Sequence, residues 1–443
     1  MIATEFATAA EPPAISPSPR KFAAPRLPVA SNTNLYGALF CAAFVLRFAF
    51  MLWRKTYAIP PSAIYETSSI ADHLARGLGF SSPFIVDTGP TAWIAPIYPF
   101  FVSLVFRCFG IYSATSTAIV MTIQCLMAAA TAITTYALGK RTVGQQPALL
   151  AAWVWAVSPF FFRWPTSWIW DMTFTALALS LVFIWTFDLV ETGEKKIWNR
   201  LGILWGVIAL TNPALLSLLP FTTGYAAVAN IRAKRQWLRG CVTCAVLFLG
   251  IISPWLIRNW VVFKQPVFLR SNYWFEFHLG NYHYSNGVGF SGKHPTHNAF
   301  ELAKYEALGE LRYVQQARDD AFRFVREHPL EFLNLTWLRA RWFWDGSFLI
   351  LQSGEWWRPW EYWPLSALGL LGLLFAITRR PRGWLLFAMA LLVYPIPYYL
   401  SFPTARYRHT LEPLLLLLAA YLVSVIWIEL QVRNHRRHAS VSS

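Results

Sequence analysis

Charge is scarce in this chain. Only 14% of its 443 residues are Asp, Glu, Lys or Arg, while 56% are hydrophobic, with 23 Trp and 34 Phe among them. So little charge over that length excludes a soluble globular protein and suits a polytopic membrane protein. Acids are scarcer still, 22 against 38 Lys and Arg, for a net charge of +16. The basic excess does not signal nucleic acid, because it sits in short clusters between apolar runs and at the chain ends, as the positive-inside rule predicts. Cysteine is sparse too. Cys241 and Cys244 form a lone C-x-x-C inside an apolar run, without the second pair a zinc site needs. A small-residue cleavage site is missing after the first apolar run, Leu35 to Trp53, which is followed by Arg54 and Lys55 and so reads as a retained span.

Basic clusters fix which loops share a side. Lys140 and Arg141; Lys195, Lys196 and Arg200; Arg232 to Arg239; Arg379 to Arg382; and Arg433 to Arg437 should all lie with the Ala/Pro/Ser-rich tail 1–34, expected to be a disordered cytoplasmic tail. Two apolar runs, Trp93 to Phe109 and Ala114 to Leu138, separate Trp53 from Lys140. Parity allows only one to span. The first is shorter and carries Pro96 and Pro99, so it is assigned to a surface or re-entrant helix. The expected fold is an all-α polytopic membrane protein with about ten transmembrane helices, near 35–53, 114–139, 146–162, 172–190, 199–211, 213–230, 240–260, 363–378, 384–401 and 409–430. Juxtamembrane helices are expected in a first outer loop, 54–113, within an N-terminal transmembrane domain, 35–260. A larger, mainly helical outer segment follows at 261–362, then C-terminal spans at 363–430 and a cytoplasmic tail at 431–443. A break at Asn212-Pro213 separates two spans.

The polar residues left for chemistry gather on the outer side. Glu66 opens an amphipathic helix whose wheel sets Ser69, His73 and Arg76 on one flank and Ile70, Leu74 and Leu78 on the other, as in a helix lying on a membrane surface. Arg258 and Asn259 close one span, Asp171 opens another, and Arg406, Tyr407 and Arg408 occupy a turn between Pro403 and Pro413. Guanidinium groups at one membrane face suit an anionic lipid phosphate, and a carboxylate nearby suits proton abstraction from an acceptor. Plain structural roles compete: arginines at span ends snorkel to headgroups, and an acid in a first helical turn favours the helix dipole. The segment Phe300 to His328 reads as one solvated helix with balanced charge.

The order of motifs resembles the GT-C-type glycosyltransferases of the dolichyl-phosphate-mannose protein mannosyltransferase and aminoarabinose transferase kind. Tyr65-Glu66 follows the first span, then IADHLARGLGFSSPF, then TAWIAPIYPFFVSLVFRCFG, with Lys140-Arg141-x-x-Gly144 closing the next span. WPTSWIWDM, PWLIRNW, HPLEFLNLTWLRARWFW and ARYRHTLEP complete the series. The resemblance implies an inverting hexosyl- or pentosyltransferase that moves a sugar from a polyprenyl-phosphate carrier to a lipid, glycan or protein acceptor, without a required metal or other cofactor. It also implies an integral protein of a bacterial inner membrane acting on the periplasmic face, with membrane lipids and no nucleic acid as partners. The family's acid falls on Glu66 as general base, where members carry Asp. The family's juxtamembrane lysine is missing at Ala95-Pro96-Ile97, so Arg258, Arg406 or Arg408 is expected to hold the donor phosphate. Tyr65, His73, Asp171, Asn259 and Tyr407 are the further substrate-binding candidates.

Other readings are a transporter or flippase of a lipid-linked sugar, or a noncatalytic lipid-binding scaffold. A transporter predicts midplane charges and paired repeats, and neither Arg47 nor Asp188 fits that pattern. His294-x-x-His297 is a weak metal motif without an acid in register, and the glycine-containing loop 281–298, with His283, offers a lid or an acceptor cleft.

Overall fold

The computed structural model describes residues 32–58, 65–283, 285–287, 291–348, 356 and 358–441. The tail 1–31 and parts of the loop 281–298 lie outside the described residues. The protein is an all-α polytopic membrane protein. Its helices are α1 (Asn32–Arg54), α2 (Glu66–Ala75), α3 (Ile97–Phe109), α4 (Ala114–Thr142), α5 (Gln145–Val157), α6 (Arg163–Ser167), α7 (Met172–Thr192), α8 (Lys195–Ala209), α9 (Leu219–Arg232) and α10 (Trp237–Phe263). The outer segment supplies α11 (Tyr273–Gly280), α12 (Ala299–Leu308), α13 (Glu310–Glu327) and α14 (Pro329–Asp345). The chain closes with α15 (Trp363–Arg379), α16 (Trp384–Val393), α17 (Ile396–Leu400), α18 (Ala405–His409) and α19 (Glu412–Val441).

Among the described residues, 7 helical segments are long and apolar enough to cross a membrane. The segments expected to span near 146–162, 199–211 and 384–401 are helical but short. Gly144 and the Ser158-Pro159 step limit α5 to 13 residues, Asn212-Pro213 stops α8 at 15, and Pro395 separates α16 from α17. At Asn212 the chain does break, with the side chain accepting the Ala214 N–H at 3.2 Å before a 3₁₀ turn. The run at Trp93 to Phe109 contributes only α3, 13 residues or about 20 Å, too short for a bilayer core. The expected helix Phe300 to His328 is split by Gly309, whose φ of 73° ends α12 and opens α13. The expected tail 431–443 continues α19 as helix to Val441.

Small residues set the tightest packing. Gly202 and Gly206, four apart on α8, face α10, and a Cβ on Gly202 would lie 2.5 Å from the Cys244 carbonyl oxygen. Spans share no water-driven attraction, so such close backbone approach is what holds them. Gly369 and Gly372 of α15 do the same against Leu415 and Leu418 of α19. Arg47, buried within α1, donates to the Trp155 and Ala156 carbonyls at 2.6 and 3.0 Å and so closes the C-terminal end of α5.

Helix α7 is the ruler of the molecule. Its 21 residues span about 30 Å. At its far end Arg141 pairs with Asp188 at 2.8 Å, Arg235 donates to the Val190 and Glu191 carbonyls, and Arg382 pairs with Glu191. Three of the basic clusters thus meet at one end of the bundle, and Asp171 marks the other.

Replacing Gly202 with Ala should lower the unfolding temperature in detergent, at a cost of about 1–3 kcal/mol for overpacking against backbone that cannot retreat. Gly224→Ala and Gly250→Ala, where a Cβ meets nothing within 4 Å, should be neutral or stabilising in the same thermal melt.

Candidate functional site

A cleft enclosing about 860 Å³, open mouth included, lies at the Asp171 end of the bundle. Six stretches of chain wall it: the start of α2, Ile94 to Pro99, Trp170 to Met172, Thr211 to Ala214, Arg270 to Glu276, and Pro397 to Tyr407. Local sequence explains how each arrives. Tyr65 is extended and Glu66 is the first helical residue of α2, so the carboxylate points from a helix start. Asp171 precedes α7, and Asn212 stands at the proline break. The turn between Pro403 and Pro413 presents Arg406 and Tyr407 on the single-turn α18.

Three acids and two arginines share this cleft: Glu66, Asp171, Glu276, Arg270 and Arg406. Their environments differ. Glu66 Oε1 lies 3.2 Å from His294 Nε2, and both side chains are largely buried. The Thr296 N–H donates to His294 Nδ1 at 3.2 Å, which leaves the proton on Nε2, facing Glu66. Phe84, Trp93 and Phe275 surround the imidazole with their ring edges. Burial alone would raise the Glu66 pKa, yet the His294 hydrogen bond and charge, with Arg406 beyond, hold it below the ordinary carboxylate value. Burial likewise opposes a charge on His294, and Glu66 outweighs it, so the imidazole is more basic than usual.

Asp171 stands differently. Its Oδ2 accepts from Asn212 Nδ2 at 2.9 Å, while its buried Oδ1 has no partner, and burial pushes its pKa up to about 6. Glu276 accepts from Asn272 Nδ2 at 2.9 Å and is also raised by burial. The Arg406 guanidinium sits over Trp170, its carbon 4.0 Å from the ring centre, and beside Tyr407. Its buried Nε has no hydrogen-bond partner. Burial works against that cation, but Tyr407, Glu276 and Glu66 more than compensate and raise its pKa.

Of the residues expected at the site, Glu66, Asp171, Arg406 and Tyr407 line the cleft. Tyr65 adjoins it, its ring edge-on to Trp168 and Trp170. The others are engaged elsewhere. Arg258 donates to the Thr91 and Phe80 carbonyls at 2.6 and 2.7 Å and packs over Trp255. Asn259 is buried, donating to the Val267 carbonyl and accepting from Arg258. Arg408 is buried at the other side of α18, donating to the Tyr362 carbonyl and Ser366 Oγ at 2.8 and 2.6 Å. His73 meets Ser81 at 3.1 Å near the end of α2. Ser69, expected on a solvent flank, is buried with its hydroxyl against the Ser82 and Phe84 carbonyls, so the first half of α2 is an enclosed helix rather than a surface one.

Sequence reasoning missed Glu276, Arg270 and the role of His294. Glu276 sits in an aromatic run, YWFEFHLG, where a lone acid amid apolar neighbours was a signal. His294 was weighed only as a metal ligand; its acid comes from Glu66, 228 positions earlier, which no local register reveals. Among the described residues one group has the makings of a metal site, His283, His328 and Glu331, with ligand atoms within 4.8 Å of one another.

Residues 93–258 match the family model described as dolichyl-phosphate-mannose-protein mannosyltransferase. The matched stretch runs from the approach to α3 through Asp171 to Arg258, and it is the family that the motif order resembles. No curated protein matches the chain. Among solved structures, the chain is similar in fold to the apo oligosaccharyltransferase of Archaeoglobus fulgidus, with TM-score 0.50 and 13% identity over 92% of this chain and 52% of that one. It is also similar to the archaeal oligosaccharyltransferase AglB of that organism in complex with an inhibitory peptide and a dolichol-phosphate, with TM-score 0.46, 12% identity and the same coverages. The chain spans about half the length of these oligosaccharyltransferases.

The Asp171 carboxyl has a test of its own. Its pKa is raised in the folded state, so it favours folding in its protonated form, below about pH 4, and loses that contribution as pH rises through about 6. Asp171→Asn keeps the acceptor for Asn212 without the charge. The variant should match wild type in thermal stability near pH 4 and exceed it at pH 8, by an amount on the order of 1–3 kcal/mol.

Proposed function

We propose that this protein is an inverting glycosyltransferase that moves a sugar from a polyprenyl-phosphate carrier to an acceptor at the outer face of the membrane. The observation that carries the reading is the cleft itself: a carboxylate kept ionised at a helix start, and across from it a buried arginine with an unspent donor. The family match over residues 93–258 supports the substrate class.

In this reading Glu66 takes the proton of the acceptor hydroxyl or amine as that atom bonds to the anomeric carbon. The bond from the anomeric carbon to the phosphate oxygen breaks with its electron pair. Attack from the face opposite the phosphate inverts the centre. Arg406, with Arg270 in the same cleft, takes up the charge growing on the leaving phosphate, held against Trp170 so that little reorganisation is needed. Phosphate leaves as a stable anion, so a second acid is not required for departure. His294 keeps Glu66 deprotonated and oriented, leaving Oε2 for the acceptor. Arg258 and Arg408 give their terminal nitrogens to carbonyls and a hydroxyl of the chain and hold the walls instead.

Transfer of radiolabelled sugar from polyprenyl phosphate tests the reading. Glu66→Gln in a stably folded variant should lose roughly 10²–10⁴-fold in kcat; activity near wild type sinks the proposal. Arg406→Gln should cost about 1.5–3 kcal/mol in donor kcat/KM with thermal stability kept, whereas Arg408→Gln should lower the unfolding temperature first. His294→Ala removes the group that holds the Glu66 pKa down, so the acidic limb of the kcat/KM profile should move to higher pH.

A further inference from the structure

A group outside the cleft has chemistry of its own. His283 follows the end of α11, His328 is the last residue before α14, and Glu331 lies in the first turn of α14. Their ligand atoms all fall within 4.8 Å of one another. The two imidazoles are stacked, their centres 5.1 Å apart and their planes inclined by 22°, and Phe324 packs against His328 from the α13 side. Two neutral imidazole nitrogens and one carboxylate oxygen form the donor set of borderline divalent transition ions. Magnesium and calcium prefer all-oxygen shells, and the set offers too little oxygen for them.

We propose that His283, His328 and Glu331 bind one divalent transition ion of the zinc or cobalt class, as a clip distinct from the sugar-transfer cleft. Bonds of about 2.0–2.1 Å require ligands roughly 3.3 Å apart, so ion binding must draw these side chains closer together than the 4.8 Å within which they now lie. Two ligands are set in advance, because Pro329 fixes the backbone of the elbow between α13 and α14 and spaces His328 and Glu331 three apart. The third stands three residues past the end of α11, the helix that carries Glu276 into the cleft. Metal binding therefore locks the position of α11 against the α13–α14 elbow. Three protein ligands leave a fourth position for water, so the ion is exchangeable rather than sealed in.

The test uses the full-length, tag-free protein in detergent, stripped with a chelator. Zn²⁺ is titrated against a chromophoric chelator and Co²⁺ is followed by its visible absorption. One equivalent should bind, Mg²⁺ in large excess should not displace it, and metal should raise the unfolding temperature. His328→Ala and Glu331→Gln should each weaken binding at least tenfold and abolish the thermal shift, while His297→Ala binds as wild type does. Glu331→Gln keeps the side-chain size and carries the test if His328→Ala folds poorly. Absence of stoichiometric binding, displacement by Mg²⁺, unchanged affinity in both ligand variants, or loss of binding in His297→Ala overturns the proposal. Each of these outcomes leaves the Glu66 reading untouched, since sugar transfer is not the readout.

Discussion

Thr91 is the point on which the outer half of the molecule hangs. Its carbonyl accepts from Arg258 of α10, and its hydroxyl donates to Glu310 at the start of α13. Arg258 also holds the Phe80 carbonyl, while Glu310 collects the Ala92 N–H, Ser271 and Tyr305. A half-buried cation and a buried anion are thus joined through one residue of the first outer loop, with their hydrogen-bonding capacity largely met. Either charge alone in so dry a place would be costly, and removal of one partner would strand the other. The cleft depends on this tie. One wall comes from the first loop, with Glu66 and Ile94 to Pro99, and another from the outer segment, with Arg270 to Glu276. The Thr91 bridge, with the Ser271 N–H donating to the Ala92 carbonyl at 2.8 Å, keeps those walls in register.

Within the cleft, environment divides the labour among three carboxyls of similar chemistry. Glu66 has a hydrogen-bonding imidazole and sits below its ordinary pKa, whereas Asp171, with one orphaned oxygen, sits near 6 and Glu276 is also raised. Opposed shifts of this kind set Glu66 apart as the group that gives up its proton first. Aromatic faces give the arginine its setting. Trp170 and Tyr407 flank the Arg406 guanidinium, and Tyr407 is stacked in turn on Tyr398 at 4.0 Å. The cation gives one donor to the Tyr407 hydroxyl and keeps its Nε free.

Much of the architecture was legible in the sequence because it follows from local rules. Charge parity demoted the run before Phe109, and α3 is indeed too short to span. Asn212-Pro213 broke a helix where proline chemistry says it must. Lengths were harder to read. The segments near 146–162, 199–211 and 384–401 carry enough apolar residues, but glycine and proline at their ends trim the helices. Site membership was legible only in part. Glu66, Asp171, Arg406 and Tyr407 meet in the cleft, but Arg258 and Arg408 carry the same residue type at similar span ends and face other ways. Their partners include backbone carbonyls 46 to 178 positions distant, and sequence periodicity says nothing of where such carbonyls will be. The His294–Glu66 pair was invisible for the same reason.

Arg47 carries a consequence for how the chain is made. It lies inside the first span, and two of the carbonyls that satisfy it belong to Trp155 and Ala156, over a hundred residues later. Spans emerge from synthesis in order, so α1 must enter the bilayer while its arginine has only the Ala43 carbonyl of its own helix for company. An arginine inside a span costs up to about 2.5–3.5 kcal/mol on insertion scales, the upper end at the centre. The first helix is therefore a provisional resident of the membrane, and it is the arrival of α5 that makes its place permanent.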